Sequence, residues 1–203
     1  LGSEIEQIKQ VIQNDQFSGN GALTKSCNKV IEEKTGTLRS IMTSSCTDAL
    51  EMAALLCDLE PDDEVIMPSF TFVSTASAFA LRRVKIVWCD IRPDTKNIDE
   101  NKIESLITEK TKALVVVHYA GIACEMDSIQ EICRKHKILL IEDAAQAIDC
   151  YYKGRHLGSI GDFGTLSFHE TKNIQCGEGG ALLVNNKDLS DRAEFIRDKG
   201  TNR

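Results

Sequence analysis

Residues 113 to 146 read ALVVVHYAGIACEMDSIQEICRKHKILLIEDAAQ and contain three successive patterns. Residues 113–118 and 138–141 are short apolar runs, and residues 126–136 between them carry apolar side chains at helical spacing. Apolar runs without polar alternation are typical of strands that are covered on both faces of a sheet. The stretch therefore predicts a strand, a crossover helix and a second, parallel strand.

The same alternation continues on both sides of this unit. The pattern predicts strands at residues 38–42, 64–67, 85–88, 113–118, 138–141, 164–168 and 181–184. It predicts helices at residues 4–14, 24–34, 47–59, 73–82, 98–107, 126–136 and 189–199. Repeated strand–helix order indicates an α/β domain with a mainly parallel sheet, whose functional loops lie at the carboxyl ends of the strands.

Composition argues against several classes of protein. The chain has 203 residues, of which 42% are hydrophobic and 27% are charged, as in an ordinary globular domain. The net charge is −7 and no run of Lys or Arg is longer than a pair such as Arg82 and Arg83, which argues against a nucleic-acid partner. The most apolar stretches, residues 70–81 and 113–124, are too short to cross a membrane. The first residues lack a secretory signal pattern, so we expect a cytoplasmic protein.

Eight cysteines stand at positions 27, 46, 57, 89, 124, 133, 150 and 176. None belongs to a C-x-x-C pair, so their spacing does not support a zinc site. Several lie inside apolar runs, as Cys57 and Cys89 do. We therefore expect reduced thiols that act as small core residues, and no bound metal.

Polar residues follow the first predicted strand. Residues 44–50 read SSCTDAL, and a helix is predicted to begin near Thr47. The first amide groups of a helix have no partner within it, and together with the helix dipole they bind anions such as phosphate. The alternative is an ordinary cap formed by Ser, Thr or Asp. The chain has neither a P-loop nor a G-x-G-x-x-G dinucleotide motif after a strand here.

Two acids, Glu142 and Asp143, follow the predicted strand at residues 138–141. Successive side chains of a strand point to opposite faces, so only one of the two can face a site at this edge. A carboxylate in that position can stabilise a protonated ring nitrogen of a flat cofactor. The alternative is an acid that caps the following helix.

A single lysine, Lys172, lies in a polar turn after the predicted strand 164–168, and residues 177–180 read GEGG. Glycine allows a sharp turn and a close approach of the backbone. Lysine is the side chain that forms Schiff bases with carbonyl groups. The alternative is a lysine that is simply exposed to solvent.

These three features together supply what pyridoxal phosphate (PLP) requires: an anchor for its phosphate, an acid for its ring nitrogen and an amine for its aldehyde. The sequence also resembles the DegT/DnrJ/EryC1/StrS sugar-nucleotide aminotransferases, in the fold-type I group of PLP enzymes. The motifs that carry the resemblance follow the family's order. They are SCTDAL at 45–50, PSFTFVST at 68–75, HYAG at 118–121, EDAAQ at 142–146, SFHETKN at 167–173 and GEGG at 177–180.

The resemblance implies a role in cofactor chemistry for several residues. Lys172 would form the Schiff base and, once displaced, would move the substrate proton. Asp143 would pair with the ring nitrogen, and Gln146 would contact the side of the ring that carries its 3-oxygen. Phe72 would stack on the ring, whereas His169 would be structural.

The resemblance also implies residues that bind phosphate and substrate. Thr47 and Asp48 would offer donors to the phosphate, and Ser167 would complete that site. His118 and Tyr119, at a strand end, would lie near the substrate, with simple packing as the alternative.

The activity that the resemblance implies is amino transfer. One branch of the family has histidine in place of the lysine and dehydrates sugars, whereas this chain has Lys172. The expected donor is glutamate, and the expected acceptor is a 4-keto-6-deoxy sugar linked to dTDP, used in cell-surface polysaccharide synthesis. Cys46, Thr47 and residues 168–172 most resemble the branch that makes dTDP-4-amino-4,6-dideoxygalactose for enterobacterial common antigen.

Family members are nearly twice as long as this chain and form homodimers. The resemblance therefore implies that residues 1–203 form the PLP-binding large domain, a three-layer α/β sandwich with a mainly parallel sheet. It implies a domain that is incomplete at its amino terminus and lacks the small carboxyl-terminal domain. Two alternatives stay open: an inactive fragment that acts at most as a binding or dimerising module, and a nucleotide-binding α/β protein without PLP.

Overall fold

The computed structural model describes residues 2–15 and 17–201 and is built on β-strands that form two sheets. The strands are β1 (Arg39–Thr43), β2 (Glu64–Pro68), β3 (Lys85–Cys89), β4 (Thr111–Val117), β5 (Leu139–Asp143), β6 (Tyr151–Tyr152), β7 (Arg155–His156), β8 (Phe163–Ser167) and β9 (Gly180–Val184). Strands β6 and β7 form a small hairpin, and the others form one seven-stranded sheet. Every predicted strand is therefore present, and the hairpin is an addition that the pattern did not predict.

Helices lie on both faces of the seven-stranded sheet. The helices are α1 (Glu4–Gln13), α2 (Ala22–Thr35), α3 (Cys46–Leu56), α4 (Val73–Ala80), α5 (Glu100–Ile103), α6 (Met126–His136) and α7 (Ser190–Arg197), and α1 has no buried residue. Side chains of α2, α5 and α6 belong to one core cluster, and those of α3, α4 and α7 belong to the other. The predicted three-layer α/β sandwich is thus confirmed. The predicted helix at residues 98–107 is shorter, because α5 passes into a single 3₁₀ turn at Glu104–Leu106.

Strand β4 shows why an unbroken apolar run suits this architecture. Ala113 and Val115 belong to the core on one face of the sheet, and Leu114 and Val116 belong to the core on the other. All four side chains are completely buried. A strand whose two faces are both covered by helices needs no polar alternation.

The strand order is β1-β9-β8-β5-β4-β2-β3. Pairs within β3-β2-β4-β5-β8 are parallel, whereas β9 is antiparallel to both of its neighbours, β8 and β1. All strands of the seven-stranded sheet except β9 therefore run in one direction. The carboxyl ends of β1, β2, β4, β5 and β8 consequently meet the amino end of β9 at one edge of the sheet.

The cysteines differ in burial more than the predicted core role implies. All eight are free; Cys57, Cys89, Cys124 and Cys133 are buried as expected. Cys46 and Cys150 are only half-buried, and Cys27 and Cys176 are exposed. Cys46, at the start of α3, and Cys150, in a loop, still pack against the cores. The core prediction is wrong for Cys27, which lies on an exposed face of α2, and for Cys176, which lies in a loop.

A close contact between backbone segments requires glycine at position 164 of β8. A Cβ built on Gly164 would overlap the carbonyl oxygen of Gly158 and lie 2.6 Å from its Cα. We expect Gly164→Ala to lower the free energy of unfolding by about 1–3 kcal/mol, the usual cost of forcing volume into a packed interior. Denaturant unfolding measures this loss. Gly19→Ala is the matched control, since a Cβ there meets no atom of the described residues within 4 Å; equal stability of the two variants would contradict the contact.

Candidate active site

A cavity of about 530 Å³ opens at the edge where the carboxyl ends of the strands meet. Loops that follow β1, β2, β4, β5 and β8 contribute its wall, and its volume lies in the usual range for ligand pockets. Most of the predicted site residues line it: Thr47, Phe72, His118, Tyr119, Asp143, Gln146, Ser167 and Lys172. Asp48 is the predicted residue that is not part of the wall.

Asp143, the last residue of β5, is the buried acid of this cavity, with 5% of its surface exposed. Its Oδ2 accepts a 2.6 Å hydrogen bond from Thr75 Oγ1, and its Oδ1 accepts a 3.2 Å bond from the amide of Ala145. Burial raises the pKa of Asp143 above its ordinary value, and these hydrogen bonds together with nearby His118 and Lys172 offset that effect only in part. A cation placed in the cavity would therefore stabilise the carboxylate form.

Glu142 turns away from the cavity, as alternation along β5 requires. Its completely buried carboxylate accepts hydrogen bonds from the amides of Gly158, Ile160 and Gly161 at 2.9, 2.6 and 2.6 Å. It also lies 2.9 Å from His118 Nε2. Of the two adjacent acids, Asp143 therefore faces the cavity. Glu142 connects the loop at residues 157–161 to the sheet through hydrogen bonds.

Removing the Glu142 carboxylate should destabilise the protein strongly. Glu142→Ala leaves three buried amides and one imidazole without a partner, so we expect the free energy of unfolding to fall by at least about 3 kcal/mol. Glu109→Ala, at an exposed position, is the control. Urea unfolding of both variants provides the comparison, and a loss below about 1 kcal/mol in Glu142→Ala would show that water or other groups replace the carboxylate.

His118 and Tyr119 follow β4 and have different surroundings. His118 is completely buried, and its Nδ1 accepts a 3.3 Å hydrogen bond from the amide of Cys124 while Nε2 faces Glu142. Both ring nitrogens are thus engaged within the protein. Tyr119 is 37% exposed, and its ring packs edge-on against Phe70 with centroids 5.1 Å apart. His118 is therefore a fixed part of the wall, whereas Tyr119 offers an accessible aromatic edge.

The start of α3 has the geometry of an anion site. Ser45 caps the helix, because its Oγ accepts a 3.1 Å hydrogen bond from the amide of Asp48. Within the described residues, the amides of Cys46 and Thr47 donate to no other group. A Cβ at Gly180 of β9 would overlap the Cys46 amide nitrogen, which explains the glycine there. Two amide donors at a helix start are consequently left for an anion.

Lys172 lies in the loop between β8 and β9. Its amide donates a 2.9 Å hydrogen bond to the carbonyl oxygen of His169, and its side chain lines the cavity. The imidazole of His169 lies 3.0 Å from Thr171 Oγ1 and 3.3 Å from Glu178 Oε1. Ser167 Oγ accepts a 3.4 Å bond from the amide of His169. His169 thus links both sides of the loop that presents the lysine.

Phe72 and Gln146 complete the wall. Phe72 is 71% exposed at the amino end of α4, so one face of its ring is accessible to a ligand. Gln146 Oε1 accepts a 2.8 Å hydrogen bond from the amide of Ala120. Its NH₂ group is the part of the side chain that is left to donate to an oxygen of a ligand.

Sequence reasoning missed two residues that contact this site. Thr75 Oγ1 binds Asp143, and Glu178 lines the cavity and pairs with His169. Thr75 gave no signal in the sequence, because its contact with Asp143 joins residues that are 68 positions apart. Glu178 gave no signal either, since an acid within a glycine-rich loop is usually exposed to solvent.

The arrangement joins an amine, a buried acid and an anion site in one cavity. The amine can bond to a carbonyl carbon, the acid can stabilise a protonated nitrogen, and the helix start can hold a phosphate. Among the residues that the structure describes, no group of three or more His, Cys, Asp or Glu side chains could hold a metal ion. No helix in the described ranges has the length and apolar character needed to cross a bilayer.

Comparison with known proteins identifies relatives of the whole chain. The model of the DegT/DnrJ/EryC1/StrS aminotransferase family matches residues 2–203. GDP-perosamine synthase from Caulobacter vibrioides is 36% identical over 199 residues, which cover 98% of this chain and 54% of that protein. Spore coat polysaccharide biosynthesis protein SpsC from Bacillus subtilis is 36% identical over 193 residues, covering 95% and 49%. The chain spans about half the length of the curated relatives it matches.

Solved structures agree with this result. An aminotransferase from Psychrobacter cryohalolentis has a TM-score of 0.92 at 32% identity, covering 98% of this chain and 51% of that one. DesI, solved in the presence of its TDP-sugar product, has a TM-score of 0.92 at 32% identity, covering 98% and 50%. Spr1654 from Streptococcus pneumoniae, described as a sugar aminotransferase and solved in its PLP form, has a TM-score of 0.87 at 29% identity, covering 98% and 55%.

Proposed function

Because the chain belongs to the DegT/DnrJ/EryC1/StrS aminotransferase family, we propose that residues 1–203 form the cofactor-binding domain of a PLP-dependent sugar aminotransferase. The enzyme passes an amino group from an amino acid to a keto sugar that is linked to a nucleotide. The observation that carries this proposal is the convergence of Lys172, Asp143 and the start of α3 on one cavity.

The residues of the cavity fit PLP in three respects. The amides of Cys46 and Thr47 are available to a phosphate, as the cofactor requires. Asp143 is a buried acid whose ordinary ionisation is disfavoured, so a protonated ring nitrogen is the partner that it lacks. Lys172 lines the same cavity and supplies the amine.

When bound, PLP supplies an aldehyde that links to amines and a ring that withdraws electrons from carbon. Lys172 would hold the cofactor through its Nζ and would move a proton at the substrate carbon. Asp143 would keep the ring nitrogen charged, and Gln146 would donate its NH₂ group on the side of the 3-oxygen. Phe72 would orient the ring by stacking.

Thr47 and Ser167, both of which line the cavity, would bind the phosphate. Asp48 contributes less directly, because its amide already donates to Ser45 Oγ. Tyr119 contacts the substrate from the rim of the cavity. His118 supports that rim through its bonds to Glu142 and Cys124.

For the substrate we propose a 4-keto-6-deoxy sugar linked to dTDP, with L-glutamate as the donor. The enzyme is then a dTDP-4-amino-4,6-dideoxygalactose transaminase of cell-surface polysaccharide synthesis, as in enterobacterial common antigen. Residues 168–172 and the pair Cys46 and Thr47 support this branch. The neighbour DesI, solved with a TDP-sugar product, supports the nucleotide, whereas the relative named GDP-perosamine synthase favours GDP as the competing choice.

We also propose that the enzyme is a cytoplasmic homodimer. The support is apolar surface beside the cavity, where Phe72 and Val73 are 71% and 70% exposed. Apolar side chains that stand together on a surface usually mark a contact with another protein.

The test of the proposed function is an amination assay with the full-length protein. The protein, loaded with PLP, is given L-glutamate and, in parallel, dTDP- and GDP-linked 4-keto-6-deoxy sugars, and the products are identified by mass spectrometry. We expect an amino sugar from the dTDP substrate. A product from the GDP substrate alone would overturn the choice of nucleotide, and the absence of any amino sugar from the panel would overturn the function.

A further inference from the structure

Two threonine hydroxyls form a chain that ends on Asp143. Thr71 Oγ1 lies 2.8 Å from Thr75 Oγ1, which lies 2.6 Å from Asp143 Oδ2. Thr75 is completely buried on α4, whereas Thr71 is part of the cavity wall. The contact between Thr75 and Asp143 joins two elements that are 68 residues apart in the sequence.

The direction of the hydrogen bonds in this chain depends on the charge of Asp143. A carboxylate can only accept hydrogen bonds, so Thr75 must donate to ionised Asp143. The oxygen of Thr75 is then free to accept from Thr71, and the donors run from Thr71 through Thr75 to the acid. A hydrogen bond from a hydroxyl to a carboxylate favours the charged form of the acid.

We propose that Thr75, aligned by Thr71, is a positioning residue that holds Asp143 as a carboxylate and so keeps the proton on the ring nitrogen of the cofactor. This inference rests on the proposed function, because it gives Asp143 the ring nitrogen as its partner. The hydroxyl of Thr75 and the amide of Ala145 each take one carboxylate oxygen. The carboxyl group is therefore fixed in rotation as well as in charge.

The other charged groups around Asp143 do not replace this donor. Lys172 approaches from the loop after β8 and favours the carboxylate through its charge, and His118 at the end of β4 acts in the same direction. Burial raises the pKa of the Cys46 thiol, on α3, above its ordinary value, so this side chain stays neutral and adds no charge. Burial outweighs these effects and raises the pKa of Asp143. The Thr75 hydroxyl donates directly to Asp143 and lowers the pKa that burial raises.

A shared proton between Asp143 and the ring nitrogen can lie on either partner. Loss of the Thr75 donor weakens the carboxylate form, so the proton moves toward Asp143. We expect the ratio of ring-protonated to unprotonated cofactor to fall about tenfold in Thr75→Val, the effect of one hydrogen bond to a charged group. Thr75→Ser keeps the hydroxyl and should retain the native ratio, and Thr71→Val should give a smaller loss.

The first measurement uses ring ¹⁵N-labelled PLP bound to the full-length protein. The ¹⁵N chemical shift reports whether the ring nitrogen carries a proton, and it is compared among the wild type, Thr75→Val, Thr75→Ser and Thr71→Val. A wild type that does not bind PLP would refute the proposed function itself. A wild type with a protonated ring and an unchanged shift in Thr75→Val would refute only the role of Thr75.

The second measurement uses the cofactor-free protein and a double-mutant cycle. Thr75→Val is introduced into the wild type and into Asp143→Asn, and thermal unfolding is followed at neutral and acidic pH. If Thr75 acts on the charge of Asp143, its loss lowers the midpoint at neutral pH in the wild type and much less in the Asp143→Asn background. Equal losses in both backgrounds would mean a purely structural threonine and would overturn the inference. If Thr75→Val does not fold, Thr71→Val takes its place in the same cycle, with the same two outcomes.

Discussion

Replacement of Lys172 by alanine is expected to abolish amino transfer in the full-length protein. The substitution removes both the amine that holds the cofactor and the group that moves the substrate proton. A positioned acid–base group alone contributes about 10²–10⁴-fold, so we expect the rate to fall at least about 10⁴-fold. Steady-state amination of the nucleotide sugar measures the loss.

The control for this experiment is Lys112→Ala, because Lys112 is exposed near the amino end of β4, at the opposite edge of the sheet. Its rate should equal that of the wild type. Added methylamine should restore part of the lost rate in Lys172→Ala, since a free amine can take over proton transfer. A Lys172→Ala variant that keeps more than about a tenth of the activity would show that another group performs these steps.

Asp143→Asn keeps the shape of the side chain and removes its charge. The ring nitrogen then loses its anionic partner, so its protonated form is less favoured. We expect the cofactor to bind while the rate of each half-reaction falls by at least about a hundredfold, as when a group aimed at developing charge is removed. Single-turnover measurements with glutamate test this, with Asp191→Asn at an exposed position as the control. A near-normal single-turnover rate would mean that a different residue pairs with the ring.

The same substitution has an opposite effect on the stability of the cofactor-free protein. Burial raises the pKa of Asp143 in the folded state above its unfolded value, about 3.9 for aspartate. Between the two pKa values the folded state binds more protons, so this group lowers stability as pH rises. Asp143→Asn removes that loss and should raise the unfolding midpoint at neutral pH but not below the unfolded pKa. A lower midpoint at neutral pH would contradict the cost that burial places on this acid.

The sequence predicts the sheet well because strands that are buried on both faces consist of nearly unbroken apolar runs. Strand β4 is an example, since Ala113 to Val116 are all apolar and all buried. The direction of β9 leaves no pattern of its own, because an apolar run reads alike in a parallel and an antiparallel strand. The hairpin of β6 and β7 was missed because two residues per strand are too few for a pattern to appear.

The sequence could predict those site residues that come shortly after a predicted strand. Lys172 and Asp143 stand beside buried strands, and parallel strands bring their carboxyl ends to one edge. Alternation along β5 says that Glu142 and Asp143 face opposite sides but not which one faces the cavity. The family resemblance favoured Asp143, and the structure places Asp143 in the cavity wall. Thr75 could not be identified, since its role depends on a tertiary contact with Asp143 that neither sequence neighbourhood reveals.

Peptide mapping of the reduced, PLP-loaded full-length protein tests the central claim, that this cavity binds PLP through Lys172, most directly. Borohydride fixes the bond between cofactor and amine, and trypsin does not cleave after a lysine that carries it. We predict that the label lies on one peptide, residues 156–187, with Lys172 as the modified and uncleaved position. A label on any other lysine, or a fully cleaved and unlabelled peptide at residues 156–172 in protein saturated with PLP, would contradict the claim.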